Sequence, residues 1–144
     1  MKSPLEETPK VLEKIGLFIV LFNLIDSNLT TEFVYLINQT NPQTRPILDF
    51  LNSQQISLKY KILEKFTGEK LCKEIEALNN FRNYLSHGSY GVNMATKKIS
   101  TTKLNRAGKY ENKTIDEKIL DEYILRIREV LGEFHKLHLK RMGK

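Results

Sequence analysis

The sequence predicts an all-α fold: a bundle of four to five helices, with a basic loop or short β-hairpin before the last one. Three observations lead there. Apolar residues recur at spacings of three and four through most of the chain, which is the period of a helix face. Residues 89 to 113 break that rhythm and are rich in Gly, Asn, Thr and Lys. The chain has 144 residues, 40% hydrophobic and 28% charged, a profile that suits a single domain over 1–144 with a sizeable core.

The first helix is expected from Thr8 or Pro9 to Ser27. Val11, Ile15, Phe18, Phe22, Ile25 and Leu29 form its main face, and Leu17, Val20 and Leu24 make the opposite side apolar too. A helix apolar all round calls for burial on all sides, by a central position or a subunit interface. A second helix is expected from Thr30 or Thr31 to Asn38. Asn41-Pro42 then breaks the pattern, and Pro46 is placed to open a short helical piece through Leu51. Another helix covers Ser53 to Phe66, burying Ile56, Tyr60, Leu63 and Phe66, and Thr67-Gly68 ends it.

The next helix runs from Glu69 to Ser86 or His87, with Leu71, Ile75, Leu78 and Leu85 on its apolar stripe. Arg82 interrupts that stripe where a Leu is expected. Burying a guanidinium is costly unless it is paired or faces a wet cleft. After Gly88, Met94 to Thr102 is expected to form a short β-hairpin with the residues after it. Thr114 or Asp116 caps the last helix, which reaches about Arg141 and buries Ile119, Tyr123, Ile127, Val130, Phe134 and Leu137.

With one cysteine the chain forms no internal disulfide and no Cys-based zinc site, and Cys72 is expected as a small buried apolar residue. No basic region followed by an apolar run and a small-residue cleavage site opens the chain. The most apolar stretch, Ile15 to Ile25, is interrupted by Asn23 and is shorter than the roughly 20 residues that cross a bilayer. A cytoplasmic protein with no membrane partner is expected. The net charge is +6, which favours a polyanionic partner. Between Lys97 and Lys113 there are six basic residues (Lys97, Lys98, Lys103, Arg106, Lys109, Lys113) against one acid, Glu111. Such a loop either tracks a phosphate backbone or is a solvated surface.

The chemistry concentrates in Arg82-Asn83-Tyr84-Leu85-Ser86-His87-Gly88. Arg and His at this spacing often occur by chance. Three features set this pair apart: the Arg on an apolar stripe, the Asn directly after it, and the Gly directly after the His. Asn83 and His87 share a helix face, whereas Arg82 and His87 lie about 140° apart on an ideal helix. Their convergence requires the helix to end near His87, or two motif helices to meet across a dimer axis. A helix C-terminus also favours protonated His. These residue types suit cleavage of an RNA backbone by its own 2′-hydroxyl. The His moves a proton, the Arg holds the nonbridging oxygens and the Asn orients either group. Neither a metal nor a cofactor is called for. His135 and His138 suit packing or surface roles better than a metal, and Phe81 and Tyr84 suit the core or an interface.

The chain resembles HEPN domains over most of its length. It has a long apolar first helix ending near an acid, Asp26, then a middle helical pair, the Arg82-Asn83…His87-Gly88 motif, a variable insert and a long final helix. The resemblance implies a helical bundle that dimerises so that two motifs line one composite cleft. It implies Arg82 and His87 as the catalytic pair of an RNase, with Asn83 as the polar residue beside them. It also implies a toxin of a toxin–antitoxin or phage-defence system, with RNA as substrate and an antitoxin protein as possible partner. Asp26, on the flank of the first helix's main stripe, is either an ion partner that holds Arg82 or a surface or capping carboxylate. Some HEPN toxins carry a Tyr two residues after the His that a partner nucleotidyltransferase modifies with AMP. Here Tyr90 stands three residues after, which puts that route in doubt and leaves Tyr90 as a candidate lining residue. Two other readings compete: a non-catalytic HEPN-like module binding nucleotide, RNA or a protein, and a helical interaction protein with no nucleic-acid role.

Overall fold

A computed structural model describes residues 4–37, 56–93, 98–104 and 107–143, without the side chains at 4–8, 33–37, 62, 63, 65, 66, 87, 89, 90, 92, 93 and 98. It is mostly helical. Among the described residues four helices, α1 (Pro4–Ile37), α2 (Ile56–Thr67), α3 (Glu69–His87) and α4 (Glu117–Arg141), surround one apolar cluster. Three strands, β1 (Ser89–Asn93), β2 (Lys98–Leu104) and β3 (Tyr110–Ile115), lie between α3 and α4. The expected break at Asn41-Pro42 and the helical piece from Pro46 to Leu51 fall outside the described residues.

The first two expected helices are one helix of 34 residues, about 51 Å long. The run Ser27-Asn28-Leu29-Thr30-Thr31 reads as a stop and a new cap. In the structure its polar side chains bond back to the helix they sit in. Asn28 Nδ2 donates to the Leu24 carbonyl at 2.8 Å, Thr30 Oγ1 to Asp26 at 3.2 Å and Thr31 Oγ1 to Ser27 at 3.1 Å. With those groups satisfied locally, nothing forces an end. Val11, Phe18, Phe22, Ile25 and Leu29 are buried as expected, and Ile15 partly so. The opposite stripe is not covered within the chain: Val20 is 60% and Leu24 47% exposed, with Leu12 and Leu17 beside them.

α2 turns into α3 at Gly68, whose φ of 96° belongs to the left-handed region that glycine adopts without strain. The two helices form a hairpin tied by Cys72. Its thiol donates to the Tyr60 carbonyl at 3.1 Å and lies 3.3 Å from Thr67 Oγ1. Burial pushes the Cys72 thiol above its ordinary pKa. Ile56 and Tyr60 are buried on α2 as expected, while the side chains of Leu63 and Phe66 lie outside the described ones. α4 starts where expected: Asp116 Oδ1 accepts the Ile119 N–H at 2.8 Å. Its buried face is Leu120, Ile124, Ile127, Val130 and Phe134, so its first turns sit one residue off the predicted stripe, and Ile119 and Tyr123 are only partly buried.

Ion pairs show how the helices run. Lys14 Nζ meets Asp121 at 2.8 Å near the starts of α1 and α4, and Glu32 meets Arg141 near their ends, so these two are parallel. α3 runs against α4: Glu74 pairs with Arg126 and, further along α3, Phe81 stacks on Tyr123.

The insert is a three-stranded antiparallel sheet in the order β1-β2-β3, one strand more than the expected hairpin. The extra strand, β1, continues directly from the motif helix and needs β2 as a partner, which local sequence does not announce. On β2, Thr101 is fully buried and Ile99 partly so, and on β3 Ile115 is buried, while Leu104 and Tyr110 are exposed, the alternation of a one-sided sheet. Lys113 fastens the sheet to the bundle. Its ammonium sits 5.2, 5.0 and 5.7 Å from the rings of Phe81, Tyr84 and Tyr123.

Phe81 joins these layers. It is fully buried, stacks on Tyr123 with ring centroids 3.7 Å apart and meets Phe18 edge-on at 5.1 Å. Phe81→Ala should cost about 3–5 kcal/mol, read as a lowered midpoint in urea unfolding.

Candidate functional site

The motif occupies the last turns of α3. Arg82 lies on the core-facing stripe between Leu78 and Leu85, as the spacing predicts, and is half-buried. Its guanidinium carbon sits 5.0 Å from the centre of the Phe22 ring on α1. The buried Nε has no hydrogen-bond partner. Among the described residues no carboxylate pairs with this guanidinium, so its charge is supported by a ring face alone.

Asp26 does not fill the expected role. Its Oδ1 is 2.7 Å from Lys59 Nζ on α2, and the Lys59 side chain is only 1% exposed. The pairing follows from cost: a fully buried ammonium needs an anion more urgently than a half-buried guanidinium lying on an aromatic ring. Lys59, three residues after Ile56 and four before Leu63 on the apolar face of α2, was the unforeseen competitor.

Asn83 is half-buried one residue beyond Arg82. His87 is the final residue of α3, as the motif requires, and Gly88 follows in extended backbone, φ −78° and ψ 154°. The imidazole of His87 and the phenol of Tyr90 are outside the described side chains. The backbone of Tyr90 pairs with Thr101 in β1–β2. The helix ends near His87 as expected, without a left-handed glycine. Gly88 is needed for space: a Cβ there would meet Thr101 Oγ1 at 1.8 Å and the Tyr84 carbonyl at 2.6 Å. Thr101 Oγ1 donates to that same carbonyl at 3.0 Å, and the Gly88 N–H reaches it at 3.1 Å. β2 therefore both caps the motif helix and turns the chain away immediately after His87.

Tyr84 faces the sheet. Its hydroxyl donates to Glu111, a bond that pushes the phenol above its ordinary pKa, and Lys103 Nζ lies 5.6 Å from its ring. Asn79, one turn before Arg82, was not foreseen as a site residue. It is 8% exposed, and its Oδ1 is buried without a hydrogen-bond partner. Its spacing of three from Arg82 and four from Asn83 was the available signal.

A cavity of about 680 Å³ opens at the other end of α3, between Gly68, Leu71, Glu74, Arg126, Val130 and Leu137. Arg126 closes on Glu74 there with two bonds, 2.5 and 3.1 Å. None of the motif residues lines it. Among the described residues no helix is long and apolar enough to cross a membrane, and no group of His, Cys, Asp and Glu is arranged to hold a metal.

Comparison of the chain with protein-family models, curated proteins and solved structures finds no significant match.

Two outcomes follow from this geometry. Gly88→Ala should destabilise the fold by about 1–3 kcal/mol. Thr101→Ala in the same chain should recover only part of that loss, because the Tyr84 carbonyl still opposes the new methyl; a double-mutant cycle in urea measures it. Asp26→Asn should cost roughly 3 kcal/mol, since it strands the Lys59 charge, whereas Asp26→Asn with Lys59→Met should be markedly less harmful in the same unfolding experiment.

Proposed function

We propose that the chain is a metal-independent endoribonuclease of the HEPN type, acting as a homodimer. The observation that carries the reading is the Arg82 guanidinium, placed on the core-facing stripe of α3 with no carboxylate among the described residues and with its Nε unsatisfied. A cation held this way has its hydrogen-bonding capacity in reserve for an anion such as phosphate. His87 ends the same helix.

In this reading the 2′-oxygen of RNA attacks the adjacent phosphorus and the bond to the 5′-oxygen breaks. A 2′,3′-cyclic phosphate and a 5′-hydroxyl are left. His87 takes the 2′-hydroxyl proton or supplies one to the leaving oxygen. Arg82 binds the nonbridging oxygens as negative charge grows, and Asn83 orients the phosphate or the imidazole. The attacking group is part of the substrate, so no metal-activated water is required.

A composite cleft would form where the C-terminal ends of two α3 helices meet. The exposed stripe of α1 suits a different contact: Leu17, Val20 and Leu24 lie about 140–200° around the helix from Phe22, on the far side from Arg82. The toxin role and an antitoxin partner belong to the same proposal, supported by the motif's resemblance.

Purified wild type should cut single-stranded RNA or tRNA in EDTA and leave cyclic-phosphate ends. His87→Ala and Arg82→Ala should lose at least about 100-fold in rate while keeping their helical signal and oligomeric state. RNA binding that weakens with salt, without cleavage, would instead support a non-catalytic binding module.

A further inference from the structure

The motif helix holds two complementary polar atoms that find no partner among the described residues. Arg82 Nε carries a proton with no acceptor, and Asn79 Oδ1 is an acceptor with no donor; both are buried. Residues three apart on a helix lie about 60° apart around its axis, with Cβ atoms about 5–6 Å from one another. That spacing is within the reach of i,i+3 side-chain pairs on one helix face. Buried polar atoms without partners are uncommon and costly, and a donor and an acceptor orphaned one turn apart make a pair rather than two defects.

The present seat of the guanidinium explains why the bond is open. Its carbon sits 5.0 Å above the Phe22 ring. That contact uses the positive charge and leaves the N–H groups, which lie in the guanidinium plane, without directed partners. If Nε donates to Asn79, the plane becomes fixed and the two terminal nitrogens present a fork that fits two oxygens of one phosphate.

We propose that Asn79 is the positioning residue of Arg82. The guanidinium has a resting seat on the Phe22 ring and an engaged seat in which Nε–H donates to Asn79 Oδ1 while both terminal nitrogens hold a phosphate group of single-stranded RNA. The identity of that phosphate rests on the ribonuclease reading above. Asn79 touches no substrate in this scheme and acts only through Arg82.

The test combines spectroscopy with kinetics. The Arg82 Nε–H resonance, assigned by its loss in Arg82→Lys, is followed while a fully 2′-O-methylated single-stranded RNA is added; this probe has phosphates but no attacking hydroxyl. In the wild type the resonance should shift and its exchange with water should slow. In Asn79→Leu neither should happen, although the melting temperature holds or rises because an unsatisfied acceptor has been replaced by an apolar group of similar size. With cleavable RNA, Asn79→Leu should lose about 10- to 100-fold in kcat/KM, and Asn79→Asp, which keeps an acceptor oxygen, should recover most of it. An unmoved resonance in the wild type, the same shift in Asn79→Leu, or wild-type cleavage by Asn79→Leu would overturn the proposal. A wild type that does not cut RNA but shows the Asn79-dependent shift would end the ribonuclease reading and leave the two-seat arrangement standing.

Discussion

The architecture around the motif depends on one close approach. At Gly88 there is no room for a side chain, because the Thr101 hydroxyl occupies the place where a Cβ would stand. That contact brings β2 onto the last turn of α3 and satisfies the Tyr84 carbonyl from the sheet. It also ends the helix at His87. Two other features belong to the same end of the molecule: the docking of Lys113 on three aromatic rings and the entry of β1 directly from the helix. A left-handed glycine would have stopped the helix too, but would not have required the sheet to be there.

Charge placement inside the bundle obeys a second constraint, which is competition for anions. The chain buries a lysine and half-buries an arginine within reach of α1, and the described part of α1 offers Asp26 to the lysine. Arg82 is left with a ring. An aromatic face offsets part of the cost of a cation but offers no directed hydrogen bonds. Among the described residues the arginine therefore rests on a ring with its Nε unsatisfied. This is a poor arrangement for stability and a suitable one for binding an oxyanion.

The readable parts of the fold were those with local signals. Both ends of α3 and the start of α4 were marked by Gly68, Gly88 and Asp116; Gly68 and Asp116 act through their immediate neighbours, whereas the reason for Gly88 lies on β2 at Thr101. The continuity of α1 was hidden because Ser, Asn and Thr serve equally as caps and as side chains that bond the previous turn, and only the surrounding packing decides between them. β1 was hidden because a strand is defined by a partner elsewhere in the chain. In the site, Arg82 stood out as a charge on an apolar stripe. Asn79 did not, since Asn is ordinary on an exposed helix face and only burial gives it meaning. Lys59 carried the same signal as Arg82, a cation between Ile56 and Leu63 on an apolar face, and was passed over.

The lone thiol of Cys72 gives the molecule an internal gauge of its own breathing. It is buried in the α2–α3 hairpin and donates to the Tyr60 backbone, with its ionisation suppressed by burial. Because the chain has a single cysteine, a thiol reagent senses one place only. The rate at which it reacts measures how often α2 and α3 part within the hairpin that carries the motif. Comparing that rate with global unfolding would tell whether the motif helix opens as a local unit or only with the whole bundle.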